Sequence, residues 1–177
     1  CLESDAAVAL VITSTERARD LRRPPVTITA TAIGGGNQLM SNGISDPTAS
    51  GAAEMAPRLY TAAGLGPDDI DFAEFYDAFT VLVPVQLEAY GFCDIGEAGP
   101  MISDGHTRIG GRLPVNTHGG HISEGYVHGL NHVAEAVHQL RGECGDRQVP
   151  EANTALSTGQ PGIHSGMTGA VILRRAA

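Results

Sequence analysis

Residues 70–90, IDFAEFYDAFTVLVPVQLEAY, set a strand directly against a helix. Ile70 to Phe75 alternates as a half-buried strand does, and Phe79 to Tyr90 is an apolar run of helical length, carrying Pro84 and closed by Gly91. Tyr76-Asp77 falls at the handover, where helix-start N–H groups are free and two polar side chains can be aimed at a pocket. A structural reading competes: Tyr76 packs on the core and Asp77 caps the helix.

Working outward, Ala6 to Thr13 (AAVALVIT) is a continuous apolar run of strand length, and Ser14 or Thr15 can cap a short charged helix through Leu21. Pro24-Pro25 ends that unit. Val26 to Ile33 (VTITATAI) is a second strand, stopped by Gly34-Gly35-Gly36, so a domain boundary falls near Arg22 to Pro25. Between Thr48 and Leu65, Ala52, Met55, Ala56, Leu59, Ala62 and Ala63 recur at helical spacing, with Pro57 inside and Gly64 as the stop. A glycine-rich stretch, Gly99 to Gly120, precedes a helix at about Glu124 to Leu140 whose apolar face is Leu130, Val133, Val137 and Leu140. Strands at Thr154 to Ser157 and Ala170 to Leu173 flank a loop from Thr158 to Gly169. Strands alternating with helices of these lengths predict an α/β layer.

The 177 residues allow one ordinary domain with a real core, and 42% hydrophobic residues with a mean hydropathy near zero suit a globular chain. A formal charge of −9 argues against nucleic acid, which needs clustered Lys and Arg; Arg17 to Arg23 reads as a solvated helix end. Cys1, Cys93 and Cys144 lack paired spacing, which favours a reducing cytoplasm over a disulfide framework. No apolar run reaches the roughly 18 to 20 residues of a membrane span, and no signal peptide is visible. The start at Cys1-Leu2-Glu3-Ser4-Asp5, directly ahead of a strand-like run, reads as a chain whose beginning is missing.

Two further segments carry polar groups beside glycines. Residues 116–131, NTHGGHISEGYVHGLN, open the expected helix, and their four glycines let backbone approach a ligand while a helix start favours negative charge. A phenol at Tyr126 could be acidified there; the competing reading is a loop of exposed histidines. His118, His121, His128 and His132 invite a metal reading, but matching Cys or carboxylate ligands and the zincin pattern are absent, so no metal is expected. The loop from Thr158 to Gly169, with His164-Ser165, can form a ligand wall; it is neither a P-loop nor a nucleophile elbow.

In this order the segments resemble the C-terminal half of the thiolase superfamily, in its sterol-carrier or lipid-transfer branch, over nearly the whole chain. Ser4-Asp5-Ala6-Ala7 through Arg19 resembles the last strand and helix of the N-terminal thiolase domain, giving residues 1–23 to that domain and 24–177 to the C-terminal one. Ala62-Ala63-Gly64-Leu65 and Asp69-Ile70-Asp71 resemble the lead-in to the Asn-Glu-Ala-Phe or His-Asp-Cys-Phe loop, where this chain has Tyr76-Asp77-Ala78-Phe79. Gly119 to Gly129 resembles the catalytic Gly-His-Pro segment, with Tyr126 for the His and Val127 for the Pro. The family's C-terminal catalytic Cys should fall near Ser157 to Gly159, where there is none.

The resemblance implies a layered αβαβα fold without Claisen chemistry, and the paired tyrosines look like the steroid side-chain-cleaving aldolases. It implies retro-aldol cleavage of a 3-hydroxyacyl-CoA to a ketone and a shorter acyl-CoA. Tyr126 is then the base and Tyr76 a hydrogen-bond donor or second acid/base group. Asp77, His128, Gly125 and His164 are implied in support or binding. No cofactor is implied beyond the CoA of the substrate. A homodimer bound to an OB-fold and zinc-ribbon partner is implied as the working form. The alternative is a non-catalytic thiolase-like protein that binds lipid or acyl-CoA or supports a partner.

Overall fold

The computed structural model describes residues 4–35, 50–161 and 167–176. Strands β1 (Val26–Gly34), β2 (Phe72–Glu74), β3 (Thr154–Pro161) and β4 (Thr168–Arg175) form one sheet in the order β1-β4-β3-β2. β4 runs antiparallel to both neighbours, and β3 and β2 are parallel. On its other side β2 is met by Pro114 to Asn116, with the Ala73 N–H donating to the Pro114 carbonyl and the Asn116 N–H to the Ala73 carbonyl. Short as it is, β2 is therefore fully buried.

Successive strand residues face opposite sides of the sheet. Ala73, Leu156 and Ile172 pack with Met55, Ala56 and Leu59 of helix α2 (Gly51–Ala63) and Leu87 of α3 (Leu82–Ala89). Phe72, Ala155 and Leu173 pack with Ala136 and Leu140 of α6 (Leu130–Arg141). Helices on both faces of a mixed sheet make the expected α/β layers. Ser50 fastens α2 to the sheet: its Oγ accepts the Ala52 N–H at 3.1 Å and donates to the Pro161 carbonyl. Gly64, at φ 65°, ends the helix, which continues through Pro57.

Several expectations need correction. Ala6 to Thr13 pairs with no strand among the described residues, and its Val11 and Ile12 are 89% and 76% exposed. An apolar extended run becomes a strand only where a partner takes its backbone hydrogen bonds. The charged helix is α1 (Thr15–Ala18), capped by Ser14 and ending short of Leu21. The glycine-rich stretch contains α4 (Ala98–Ser103), with Pro100 in its first turn, where a missing N–H costs nothing. The long helix begins at Leu130 and not Glu124. Gly120–Ser123 forms a separate turn, α5, and positive φ at His128 (57°) and Gly129 (96°) breaks the chain before α6. His128 and His132 consequently share no helix face. In α3 the first residue is Leu82, leaving Phe79 outside the helix and 59% exposed.

Candidate active site

Side chains carry the sheet pattern past the end of β2. The Phe75 N–H donates to Asn116 Oδ1 at 2.7 Å, and Asn116 Nδ2 donates to the Phe75 carbonyl at 3.0 Å, so one amide stands in for a strand neighbour. The Tyr76 N–H donates to Thr158 Oγ1 at 3.0 Å, and the Tyr76 carbonyl accepts Gln86 Nε2 at 2.8 Å. Thr158 Oγ1 donates to Gln86 Oε1 at 2.6 Å, closing a buried ring between β3, α3 and the strand end. This ring fixes the Tyr76 backbone where the sheet no longer does.

From that anchor the Tyr76 side chain meets Tyr126, hydroxyl to hydroxyl, with ring planes 70° apart. Tyr76 is buried and Tyr126 half-buried, so the pair runs from the interior towards solvent. His121 lies edge-on to both, 4.9 Å from Tyr76 and 4.7 Å from Tyr126 between ring centroids. His128 flanks the pair at 5.8 and 5.4 Å. Burial first, and then the bond to Tyr126, raise the Tyr76 phenol above its ordinary range. Either hydroxyl can be the donor of the pair. The expected help from a helix start is corrected: Tyr126 lies four residues before Leu130, and the field of α6 fades within about a turn.

Beneath the phenols lies a buried layer of carboxylates and imidazoles. Asp77 Oδ1 accepts the His121 N–H at 2.8 Å and lies 3.4 Å from His132 Nε2. Asp77 occupies space that only a glycine at 120 leaves open, since a Cβ there would sit 1.9 Å from Asp77 Oδ2. Glu74 Oε2 lies 3.0 Å from His118 Nδ1 and 3.7 Å from His132 Nδ1, and Glu74 Oε1 accepts the Thr117 N–H at 3.1 Å. Burial pushes both carboxyls up. At Glu74 His118 and His132 outweigh it, and at Asp77 His132 and the His121 N–H do, so both sit below the usual carboxylate range. Burial likewise pulls His132 down, and Asp77 and Glu74 outweigh it, so its imidazole titrates above the ordinary value. His121 goes the other way: burial first, then the charge of His132, lower it to about 4.

Donor atoms of Glu74, His118 and His132, and of Asp77, His121 and His132, lie within 4.8 Å of one another, a spacing an ion could bridge. His132, whose charged form is favoured by the Asp77 and Glu74 carboxylates on either side, draws the same groups together without an ion. Behind this layer, Glu135 Oε1 accepts Arg147 Nη1 at 2.6 Å and Gln139 Nε2 at 3.0 Å. Thr117 Oγ1 lies 2.8 Å from Glu74 and 2.7 Å from Glu135, its single proton serving one of them at a time.

The structure thus brings together Tyr76, Asp77, Tyr126 and His128 of the residues singled out in the sequence. Gly125 lies beside them on the N-terminal run, where a Cβ would meet that of Ala6 at 3.0 Å. His164 lies outside the described residues. Glu74, His118, His121 and His132 were not assigned to the site by sequence. The available signal was Glu74 sharing a strand face with Phe72, in a chain with four histidines close to one helix. Next to His128 and Gly129 opens a cleft of about 290 Å³ with walls from Leu130, Val133, Ser157, Thr158 and Val171. It is largely apolar, and Ser157 Oγ lies buried in it without a hydrogen-bond partner among the described residues.

Comparison with known proteins accords with this architecture. Residues 36–175 match the family model described as thiolase C-terminal domain-like. A steroid side-chain-cleaving aldolase of Thermomonospora curvata is 47% identical over 90% of this chain and 42% of its own length. A 17-hydroxy-3-oxo-4-pregnene-20-carboxyl-CoA lyase of Mycobacterium tuberculosis is 47% identical over 80% of this chain and 38% of its own length. The solved structure of an Ltp2-ChsH2(DUF35) aldolase superposes with a TM-score of 0.82 at 42% identity, covering 91% of this chain and 42% of that one. The chain spans about two fifths of the length of these relatives. On the matched span and the shared fold, it belongs to the thiolase superfamily, as a thiolase C-terminal domain-like chain.

Proposed function

We propose that the chain is part of a carbon–carbon lyase that cleaves a 3-hydroxyacyl-CoA with a steroidal acyl group into a ketone and a shorter acyl-CoA. The observation that carries this reading is the hydrogen-bonded pair of phenols, Tyr76 and Tyr126, joining the strand end to the glycine segment. The resemblance places an imidazole at position 126 in thiolases. Exchange for a phenol removes the group that activates a nucleophilic Cys there and leaves one suited to moving a hydroxyl proton. Two relatives named as an aldolase and a CoA lyase lend support.

Tyr126 takes the proton of the β-hydroxyl as the carbonyl forms. The electron pair of the breaking Cα–Cβ bond becomes the thioester enolate, which takes a proton at carbon. Tyr76, held protonated, donates its hydrogen bond to Tyr126 and steadies it. Asp77 sets the Gly120-His121 backbone, His128 contacts substrate from the outer side, and the Gly125 N–H helps bind it; His164 is proposed in the same role from the sequence resemblance alone. The apolar cleft beside His128 offers room for part of the acyl group. The working form is a cytoplasmic homodimer with an OB-fold and zinc-ribbon partner, in line with the two components in the name of the solved relative, Ltp2 and ChsH2. Among the described residues no helix is long and apolar enough to cross a membrane.

The test is to incubate the full-length protein, with its partner, with a steroidal 3-hydroxyacyl-CoA and follow both products. A ketone and propionyl-CoA are expected, and thiolysis of a 3-ketoacyl-CoA is not. Robust thiolysis, or binding of the acyl-CoA without cleavage, overturns the reading.

A further inference from the structure

Among the described residues, His121 is the one imidazole in contact with both tyrosines that is itself buried, at 2% exposed. Neither of its ring nitrogens has a hydrogen-bond partner among the described residues. Buried polar groups are nearly always paired, and each exception asks for an explanation. Packing alone does not supply one, since a Phe or Leu would fill the space without leaving two polar atoms unpaired. His121 also meets His132 edge-on, with ring centroids 4.2 Å apart and planes 60° apart. His132 in turn lies between the carboxylates of Asp77 and Glu74.

We infer that His121 is the proton acceptor behind Tyr126: a neutral imidazole that takes the phenol's own proton as the phenol takes one from the substrate. The inference rests on the reading above that the phenols perform retro-aldol cleavage. In the forward step the β-hydroxyl O–H bond breaks and its proton goes to the Tyr126 oxygen. As the Tyr126 hydroxyl turns towards His121, whose ring lies 4.7 Å from its own, its proton goes to a free ring nitrogen there through a hydrogen bond absent at rest, the Cα–Cβ pair becomes the enolate, and the ketone forms. In the return step the enolate carbon takes the phenol proton and His121 gives its proton back to Tyr126. The net change is one hydroxyl proton moved to the α-carbon, so no co-reactant is needed. His121 does not touch substrate in this scheme; it acts through Tyr126.

The surroundings favour that role. The groups facing His121 are Asp77 from the end of β2, His118 from before α5, His128 from before α6, His132 from α6, and the two phenols. Burial first, and then the neighbouring His132 imidazole whose charged form Asp77 and Glu74 favour, disfavour positive charge on His121 at rest, which keeps its nitrogen open. The charge that appears on His121 during the reaction is met by the Asp77 carboxylate on the same cluster.

The experiment is His121→Gln in the full-length protein with its partner, read as kcat against pH, with a thermal melt. A Gln can hydrogen-bond but cannot take the proton. We expect kcat to fall roughly 10- to 100-fold at neutral pH, less than for loss of a direct base. We also expect kcat to rise about tenfold per pH unit towards alkaline pH, because the phenol must now ionise unaided; the parental enzyme should be flat over that range. A folded variant with parental kcat and a parental profile overturns the inference. Should the variant not fold, the ¹⁵N imidazole titration of the parental protein decides. His121 should stay neutral down to about pH 5, and a His121 that is charged at neutral pH overturns the role. A parental enzyme that cleaves no 3-hydroxyacyl-CoA would instead overturn the functional reading, while the titration would still report on His121 itself.

Discussion

Two buried polar clusters meet at Thr117, and they differ in one respect. Behind Thr117, Glu135 is paired with Arg147, Gln139 and Thr117 itself, so its acceptor oxygen is fully engaged. In front of it, towards the phenols, His121 has no hydrogen-bond partner among the described residues, and His132 touches Asp77 and Glu74 only at 3.4 and 3.7 Å, beyond ordinary hydrogen-bond length. A cluster that only holds a fold tends towards saturation, because every unpaired buried group costs stability. One that must move protons keeps a group open. On the proposed function, the Glu135 cluster holds structure and the cluster at the phenols carries the chemistry.

The strongest way to break that contrast is Tyr126→Phe, which keeps the ring and removes the oxygen. Loss of a positioned base costs about 10²- to 10⁴-fold in rate, so kcat/KM for cleavage should fall by that much with the melting temperature nearly unchanged. Tyr76→Phe should cost less, since a donor is lost and the acceptor remains. On the other side, Arg147→Met should act on stability. Removing one partner of a buried charge pair is destabilising by several kcal/mol. Arg147 is half exposed and water can reach Glu135 in its absence, so about 1 to 3 kcal/mol is the expected loss in denaturant unfolding, with turnover of the folded enzyme little changed.

A smaller effect is pH dependence of the melting temperature. Glu74 and Asp77 titrate below their ordinary values, so their contribution is present above about pH 4 and is lost as pH falls through their lowered pKa values. His121, lowered to about 4, adds to the acid-side loss, because the unfolded chain gains a proton below about pH 6.5 that the folded one refuses. His132 is raised, so its contribution is complete below about pH 6.5 and is lost as pH rises through its folded value. Stability should therefore peak in mildly acidic to neutral buffer and decline on both sides. A melting temperature that climbs steadily from neutral to alkaline pH would contradict the upward shift of His132.

How much of this could be read from residues follows the same division. Tyr76 and Tyr126 were legible because each sits at a fixed place in a glycine-marked segment, and β1 and α2 because their period and stops are local. The buried layer was not, since pairing of Glu74 with His118 and His132 needs β2, the loop before α5 and α6 brought together. A carboxylate on the apolar face of a strand was the one local trace of it. The start of α6 escapes sequence because the apolar period from Leu130 onward does not report the positive φ at His128 and Gly129 that delays the helix.

The central claim is that the phenol end performs chemistry and the Glu135 end holds structure. It is tested most directly by measuring kcat/KM for retro-aldol cleavage and the unfolding free energy side by side for Tyr126→Phe and Arg147→Met in the assembled full-length enzyme. We expect Tyr126→Phe to lose at least about 10²-fold in kcat/KM at nearly parental stability, and Arg147→Met to lose stability at nearly parental kcat/KM. A folded Tyr126→Phe enzyme with near-parental turnover would contradict the account.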